Sequence, residues 1–214
     1  MSYGKILMAA AWLCAVSAAP AAEDPDELFD RASKSRERGE TAEAVKYYRQ
    51  AAEAGHAKAQ YNLGVCCDRG IGVKRDPVEA VNWYRKAAEQ KLAAAQYNLG
   101  VCYSTGEGVK ADALEAVKYY RLAAENGHVK AQYDLGICYE SGHGVDKDRA
   151  EAFKWWLKAA EQGHEMAQYW VGVCCLDGEG VEKKRPEAVK WLQKAAKQGN
   201  QNAKQRLNDL GESW

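Results

Sequence analysis

The chain has 214 residues, enough for one domain with a real core, so length by itself asks for no second unit. Thirty Lys and Arg balance thirty Asp and Glu, which leaves no net field to attract nucleic acid or an anionic membrane surface. Nineteen Gly, twelve Tyr and seven Trp beside only four Pro and two Phe point instead to an all-α chain, with helices packed through small residues and punctuated by glycine.

In chain order, residues 1–21 read as a signal peptide. Lys5 supplies the positive charge, Ile6 to Val16 is an apolar run, and Ala19-Pro20-Ala21 offers a small-x-small cleavage site. The run is shorter than the roughly 20 residues that cross a bilayer, so no transmembrane span is expected. The expected location is periplasmic or secreted. Cys14 follows Leu13, where a lipidation signal wants a small residue, so no lipid anchor is expected. Residues 22–56 then form an N-terminal cap, a charged helix pair over Asp26 to Gly39 and Thr41 to Ala54.

From residue 57 the chain aligns on itself. Blocks 57–92, 93–128, 129–164 and 165–200 open AKAQYNLGVCC, AAAQYNLGVCY, VKAQYDLGICY and EMAQYWVGVCC, without insertions between them. In each first segment, helix A, residues such as Ala59, Leu63 and Cys66 recur at steps of four and three, the spacing of one helix face. Gly70, Gly106, Gly142 and Gly178 end it, glycine being able to take the left-handed conformation that closes a helix. A second glycine and Val73, Val109, Val145 or Val181 complete a turn with an apolar plug. This G-x-G closes a helix and follows no strand, which argues against a phosphate loop.

Helix B follows, with Ala80, Val81, Tyr84, Ala87 and Ala88 as its apolar stripe. Glu79, Glu115, Glu151 and Glu187 lie in its first turn, where a carboxylate suits the helix dipole, and read as a solvated helix start. Gly64, Gly100, Gly136 and Gly172 of helix A are expected to face the alanines of helix B and let the two axes approach closely, while the large Tyr and Trp rings fill between units. One such pair cannot bury its own apolar face, so stacked copies and dissimilar ends are required. Residues 201–214 supply the C-terminal cap, with a degenerate, polar helix over Asn202 to Leu210.

The residues AQYNLGVCY, the G-E-G-V turn and the tail EAVKYYRLAAENGH resemble the Sel-one-like repeat (SLR), a relative of the tetratricopeptide repeat (TPR). The resemblance covers residues 57–200 in full and about 40–56 in part. The four block starts, Ala57, Ala93, Val129 and Glu165, are 36 residues apart, against about 34 for tetratricopeptide units. The resemblance implies a right-handed α/α superhelix, a TPR-like solenoid whose helices A line a concave surface, and an adaptor role in complexes. Exported cysteine-rich members of the family staple each repeat by a disulfide between helices A and B. Here Cys66, Cys67, Cys102, Cys138, Cys174 and Cys175 all fall in helix A, so that staple is absent. Buried free thiols are the expectation, with a bridge such as Cys67 to Cys102 as the alternative.

Catalysis and cofactors find little support. His56, His128 and His164 share one repeat position at the start of the next helix A, which a capping role explains, and they are too far apart to converge on zinc. Members of the family have been linked with penicillin binding or hydrolysis, but the only S-x-x-K, Ser2 to Lys5, lies in the leader and K-T-G is absent. No enzyme, no metal and no cofactor is expected. An envelope-associated hydrolase or penicillin-interacting protein, and a cell-wall glycan binder using Trp and Tyr faces, remain as alternatives.

With Ala59, Leu63 and Cys66 in the core, the concave side falls to Lys58, Asn62, Val65 and Arg69. Tracked along the repeats these positions hold Lys58, Ala94, Lys130 and Met166; Asn62, Asn98, Asp134 and Trp170; Arg69, Thr105, Ser141 and Asp177. The candidate protein-binding groove is therefore Lys58, Asn62, Arg69, Asn98, Lys130, Asp134, Met166 and Trp170. Its first half is polar, with amides able to bond an extended peptide, and its last half carries the Met166 and Trp170 anchor. Trp170 packing beneath the C-terminal cap is the competing expectation.

Overall fold

The period of the sequence becomes an alternation of helices in the computed structural model, which describes residues 23–214. The expected signal peptide, residues 1–21, lies outside the described residues. The N-terminal pair is α1 (Pro25–Glu37) and α2 (Thr41–Glu53). Four pairs follow: α3 (Ala57–Arg69) with α4 (Pro77–Glu89), α5 (Ala93–Thr105) with α6 (Ala113–Glu125), α7 (Val129–Ser141) with α8 (Arg149–Glu161), and α9 (Glu165–Asp177) with α10 (Arg185–Lys197). A shorter α11 (Gln201–Asp209) ends the stack. Each helix packs on the one before it and the one after it, the all-α superhelix that stacked units require. Among the described residues no helix is long and apolar enough to cross a membrane.

The helix ends are set locally. Gly70, Gly106, Gly142 and Gly178 take left-handed φ of 71–78°, and their N–H groups donate to the carbonyls of Cys66, Cys102, Cys138 and Cys174. Helix B is opened by Asp76, Asp112 and Asp148, whose carboxylates accept from backbone N–H groups of the first turn. The next helix A is opened by His56, His128 and His164, whose Nδ1 atoms accept from the N–H of Ala59, Ala131 and Ala167 at 3.0, 3.2 and 3.3 Å. The capping role expected of these histidines is therefore present. Leu92 holds the same place before α5 and caps nothing.

The second glycine of each turn has a reason beyond its positive φ. Gly72, Gly108, Gly144 and Gly180 lie directly on the backbone of Thr41, Pro77, Ala113 and Arg149 in the preceding pair, so that a Cβ would overlap it. The turn of one unit is thus the seat of the unit before it.

Between units runs a ladder of buried amides that the sequence reading did not assign. Gln60, Gln96, Gln132 and Gln168 donate to the carbonyls of Ala52, Ala88, Ala124 and Ala160 at 3.1–3.4 Å. Each also accepts a side-chain hydrogen bond, at 2.8–2.9 Å, from Gln90, Asn126, Gln162 or Gln198. A buried amide costs little when both its groups are bonded.

The core itself is small residues against rings: Ala59, Leu63, Ala95, Leu99, Ala131, Leu135, Ala167 and Val171 are fully buried. All six cysteines of the described residues are buried and unbridged, as free thiols. Burial raises the pKa of each; Cys102 and Cys138 reach about 11, Cys67 and Cys174 about 12. Neutral thiols of this kind are packing groups and poor nucleophiles.

The first-turn glutamates read as solvated, Glu79, Glu115, Glu151 and Glu187, are all half-buried, and Glu79 departs furthest from that reading. It pairs with Arg49 of α2 at 2.6 Å and accepts from Trp83 Nε1 at 3.1 Å. The Arg49 guanidinium holds its carboxyl below the usual range.

Candidate protein-binding groove

The face formed by the A helices is built through the glycine windows. At Gly64 and Gly100 a Cβ would stand 2.7 Å from the ring of Tyr84 or Tyr120, and at Gly136 it would overlap Trp156. As expected of a close approach to the alanines of helix B, the same Cβ positions at Gly64, Gly100 and Gly172 lie 3.2–3.4 Å from the carbonyls of Ala80, Ala116 and Ala188. At Gly64, Gly100 and Gly136 an aromatic ring of helix B fills the space that the missing Cβ leaves open, and at Gly172 the side chain of Leu192 does so. Tyr84 and Tyr120 thereby pass from α4 and α6 to line hollows on the helix-A face. The Tyr84 hydroxyl ends there buried, with no hydrogen-bond partner.

Three hollows adjoin on this face. One of about 560 Å³ lies between α5 and α7, lined by Tyr97, Val101, Ser104, Tyr120, Asp134, Ile137, Cys138, Ser141 and His143. A second, about 500 Å³, is lined by Tyr61, Arg69, Tyr97, Asn98, His128 and Lys130 among others. A third, about 210 Å³, includes Asp68, Arg69, Tyr84, Tyr97, Asn98 and Thr105. Tyr97 lines all three. Its ring stacks on His128 at 4.5 Å, and its hydroxyl donates to Asp134 Oδ2 at 3.0 Å.

The residues expected in the groove divide into groups. Arg69, Asn98 and Lys130 share one hollow, and Asp134 lies in the hollow beside it. Lys58 is exposed and Asn62 half-buried on α3, and neither lines any of the three. Met166 and Trp170 are half-buried on α9 and stand apart from these hollows. Trp170 stacks on Trp156 with ring centroids 5.5 Å apart and meets Tyr169 edge-on at 5.4 Å. Its indole Nε1 is buried without a hydrogen-bond partner. Tyr169, not Trp170, packs against the apolar cluster of α10 and α11. The Met166 thioether accepts from Asn200 Nδ2 at 3.3 Å, which ties it to the residue that caps α11.

The face also contains residues the sequence reading left out. Tyr97 was visible only as the repeated tyrosine of AQYNLG, and Tyr84 and Tyr120 as members of a buried stripe. Their hydroxyls matter through contacts in the adjoining unit, and no local spacing signals those.

Two kinds of ionisable group stand out. Burial raises the pKa of Asp134, against the opposing effects of the Tyr97 hydroxyl and of Lys130. His128 and His164 are pushed below 6.5, first by burial and then, in both, by the Lys130 charge, which Glu165 opposes at His164. Among the described residues no group of three or more His, Cys, Asp or Glu side chains converges as a metal site.

Comparison with known proteins agrees with this architecture. The Sel1 repeat family model matches residues 38–56, 57–92, 93–128, 129–164 and 165–200. A protective antigen of uropathogenic Escherichia coli strains displaying an SLR fold is similar at a TM-score of 0.84 and 32% identity, over 88% of this chain and 42% of its own. A Sel1 repeat protein from Oxalobacter formigenes reaches 0.75 and 38% identity, over 79% of this chain and 49% of its own. One from Klebsiella pneumoniae subsp. pneumoniae, at 0.53 and 21% identity over 88% and 94%, shares the fold. The chain therefore spans less than half the length of the first two. No curated protein matches the sequence at a significant level. The five matched segments, on a stack of helix pairs with the same period, place this chain in the Sel1 repeat family, whose members are commonly protein–protein interaction scaffolds.

Proposed function

We propose that this chain is a non-catalytic, exported scaffold that holds a protein or peptide across the helix-A face. The observation that carries the reading is the junction at Tyr97, which lines three adjoining hollows and stands in one of them with Asn98 and Tyr84. Asn98 beside it carries both a donor and an acceptor, as an extended backbone needs. Mixed polar and aromatic walls suit a peptide better than a single small ligand. Export is supported by the composition of residues 1–21.

The test is selection of a displayed random-peptide library on the immobilised chain, followed by affinity measurement on variants. Asn98→Ala and Tyr97→Phe should each weaken the selected peptides about tenfold, the effect of roughly 1.4 kcal/mol. A Trp170→Ala variant tests the α9 anchor separately. Peptides that bind all variants equally refute this placement of the groove. Soluble cell-wall glycan fragments run in parallel; their binding, with no peptide selected, would replace the reading with a glycan-binding one.

A further inference from the structure

We propose that the hollow between α5 and α7 is a receptor for an arginine side chain of the bound partner, with Asp134 as its counter-ion. This rests on the groove reading above and specifies the partner's chemistry.

Asp134 is the one acid in a series that reads Asn62, Asn98, Asp134 and Trp170. It is half-buried, and the single hydrogen bond of its carboxylate within the chain is the one from Tyr97 to Oδ2. Oδ1 has no partner, and Asp134 makes no ion pair with any Lys, Arg or His among the described residues. Of the other carboxylates that line these hollows, both in the third, Glu107 pairs with Arg75 while Asp68 makes no ion pair among the described residues. Asp134 is thus a partly desolvated anion that the fold orients but does not neutralise. A cation in the hollow relieves that cost.

The walls select which cation. The rings of Tyr97 and Tyr120 stand 5.8 Å apart at 35° to one another, and Val101 and Ile137 add apolar surface to the lining. Ile137 is 37% exposed, much as Ile71 and Leu122 are, and so offers apolar surface to a ligand. A planar guanidinium can face a tyrosine ring while forking onto a carboxylate, and its methylene stem needs apolar cover. A lysine ammonium uses the carboxylate and leaves the planar contact unused. At about 560 Å³ the space admits the whole side chain.

Charged neighbours come from every side of the hollow. Lys130 lies one turn earlier on α7 and lines the adjoining hollow with Arg69 of α3, and neither pairs with Asp134. His143 is at the rim in the turn after α7, and Cys138, with a thiol pKa raised to about 11, stays neutral.

The experiment has two arms on the full chain. In the first, the peptides selected above are resynthesised with every Arg as citrulline, isosteric but uncharged. In the second, N-acetyl-arginine methylamide is titrated into the isotopically labelled chain and followed by amide NMR shifts. Citrulline should weaken the peptides at least tenfold, and the arginine derivative should give saturable shifts around Tyr97, Asp134 and Ile137 that Asp134→Asn abolishes. The variant is expected to fold, since asparagine stands at this position in the first two repeats. Groove-dependent peptides indifferent to both citrulline and Asp134→Asn would overturn the arginine receptor and leave the scaffold intact. An absence of any selected peptide would remove the scaffold reading itself.

Discussion

The Tyr97 hydroxyl of α5 lies 3.0 Å from Asp134 Oδ2 of α7 and donates to it, so an acid from one repeat is held in place by the repeat before it. The bond orients the carboxylate without cancelling its charge. Burial leaves the Asp134 pKa above its ordinary value of 3.8.

That shift has a definite sign in stability. A carboxyl whose pKa is raised by folding contributes stability that is present below the unfolded value and lost as pH rises through the folded one. Near pH 7 the native state therefore bears the cost of an unneutralised Asp134. Asp134→Asn should raise Tm at pH 7, and the gain should vanish as pH falls to 3.8 and below. Calorimetry of both proteins across that range checks it; a lower Tm for the variant at pH 7 would contradict it.

The histidine caps run the other way. His128 and His164 have pKa values below 6.5 in the folded chain, so the stability they contribute is full above 6.5 and lost as pH falls through the folded values. Protonation also removes the Nδ1 lone pair that accepts from Ala131 or Ala167. His128→Ala should cost about 1 kcal/mol at neutral pH, the usual value of an N-cap. A His128→Asn, His164→Asn double variant should keep its caps, as Asn200 does for α11 at 2.8 Å, and should lose less stability than the parent between pH 7.5 and 5.5. Urea midpoints at the two pH values are the readout.

Two glycines separate conformational strain from a backbone clash. Gly127 has φ 81° with open space around it, and Gly108 has φ 71° with its missing Cβ against the Pro77 carbonyl. Gly127→Ala should cost about 1–2 kcal/mol, the left-handed penalty for a residue with a Cβ. Gly108→Ala adds an overlap with backbone, about 1–3 kcal/mol more, and should loosen the seat of α5–α6 on α3–α4. Equal costs in chemical denaturation would mean that the turn does not seat the preceding unit.

Lys91 offers the converse. It has φ 62° where Gly55, Gly127, Gly163 and Gly199 stand in the other units. Lys91→Gly should stabilise the chain by about 1 kcal/mol, read as a higher Tm. No change would show that the unfolded-state entropy added by glycine offsets the relieved strain.

The architecture was legible in the sequence because its causes are local and repeated. Helix faces follow from spacing at Ala59, Leu63 and Cys66, helix ends from glycines such as Gly70, and the histidine caps from a shared repeat position. The candidate groove was legible only in part. Arg69, Asn98, Lys130 and Asp134 do border adjoining hollows, whereas Lys58 and Asn62 lie outside them and Met166 and Trp170 join a separate aromatic stack.

Spacing along one helix states which way a residue points, and that much the sequence alone determined: period, pairing, caps and the facing of helix A. The tertiary structure alone decided which groups meet. Tyr97 and Asp134 are 37 residues apart, Gln60 and Gln90 are 30 apart, and the rings of Tyr84 and Tyr120 reach the helix-A face only because a glycine stands in their path. Those meetings depend on the small rotation between successive units and on the rotamer each ring takes in the gap, neither of which a one-dimensional pattern encodes.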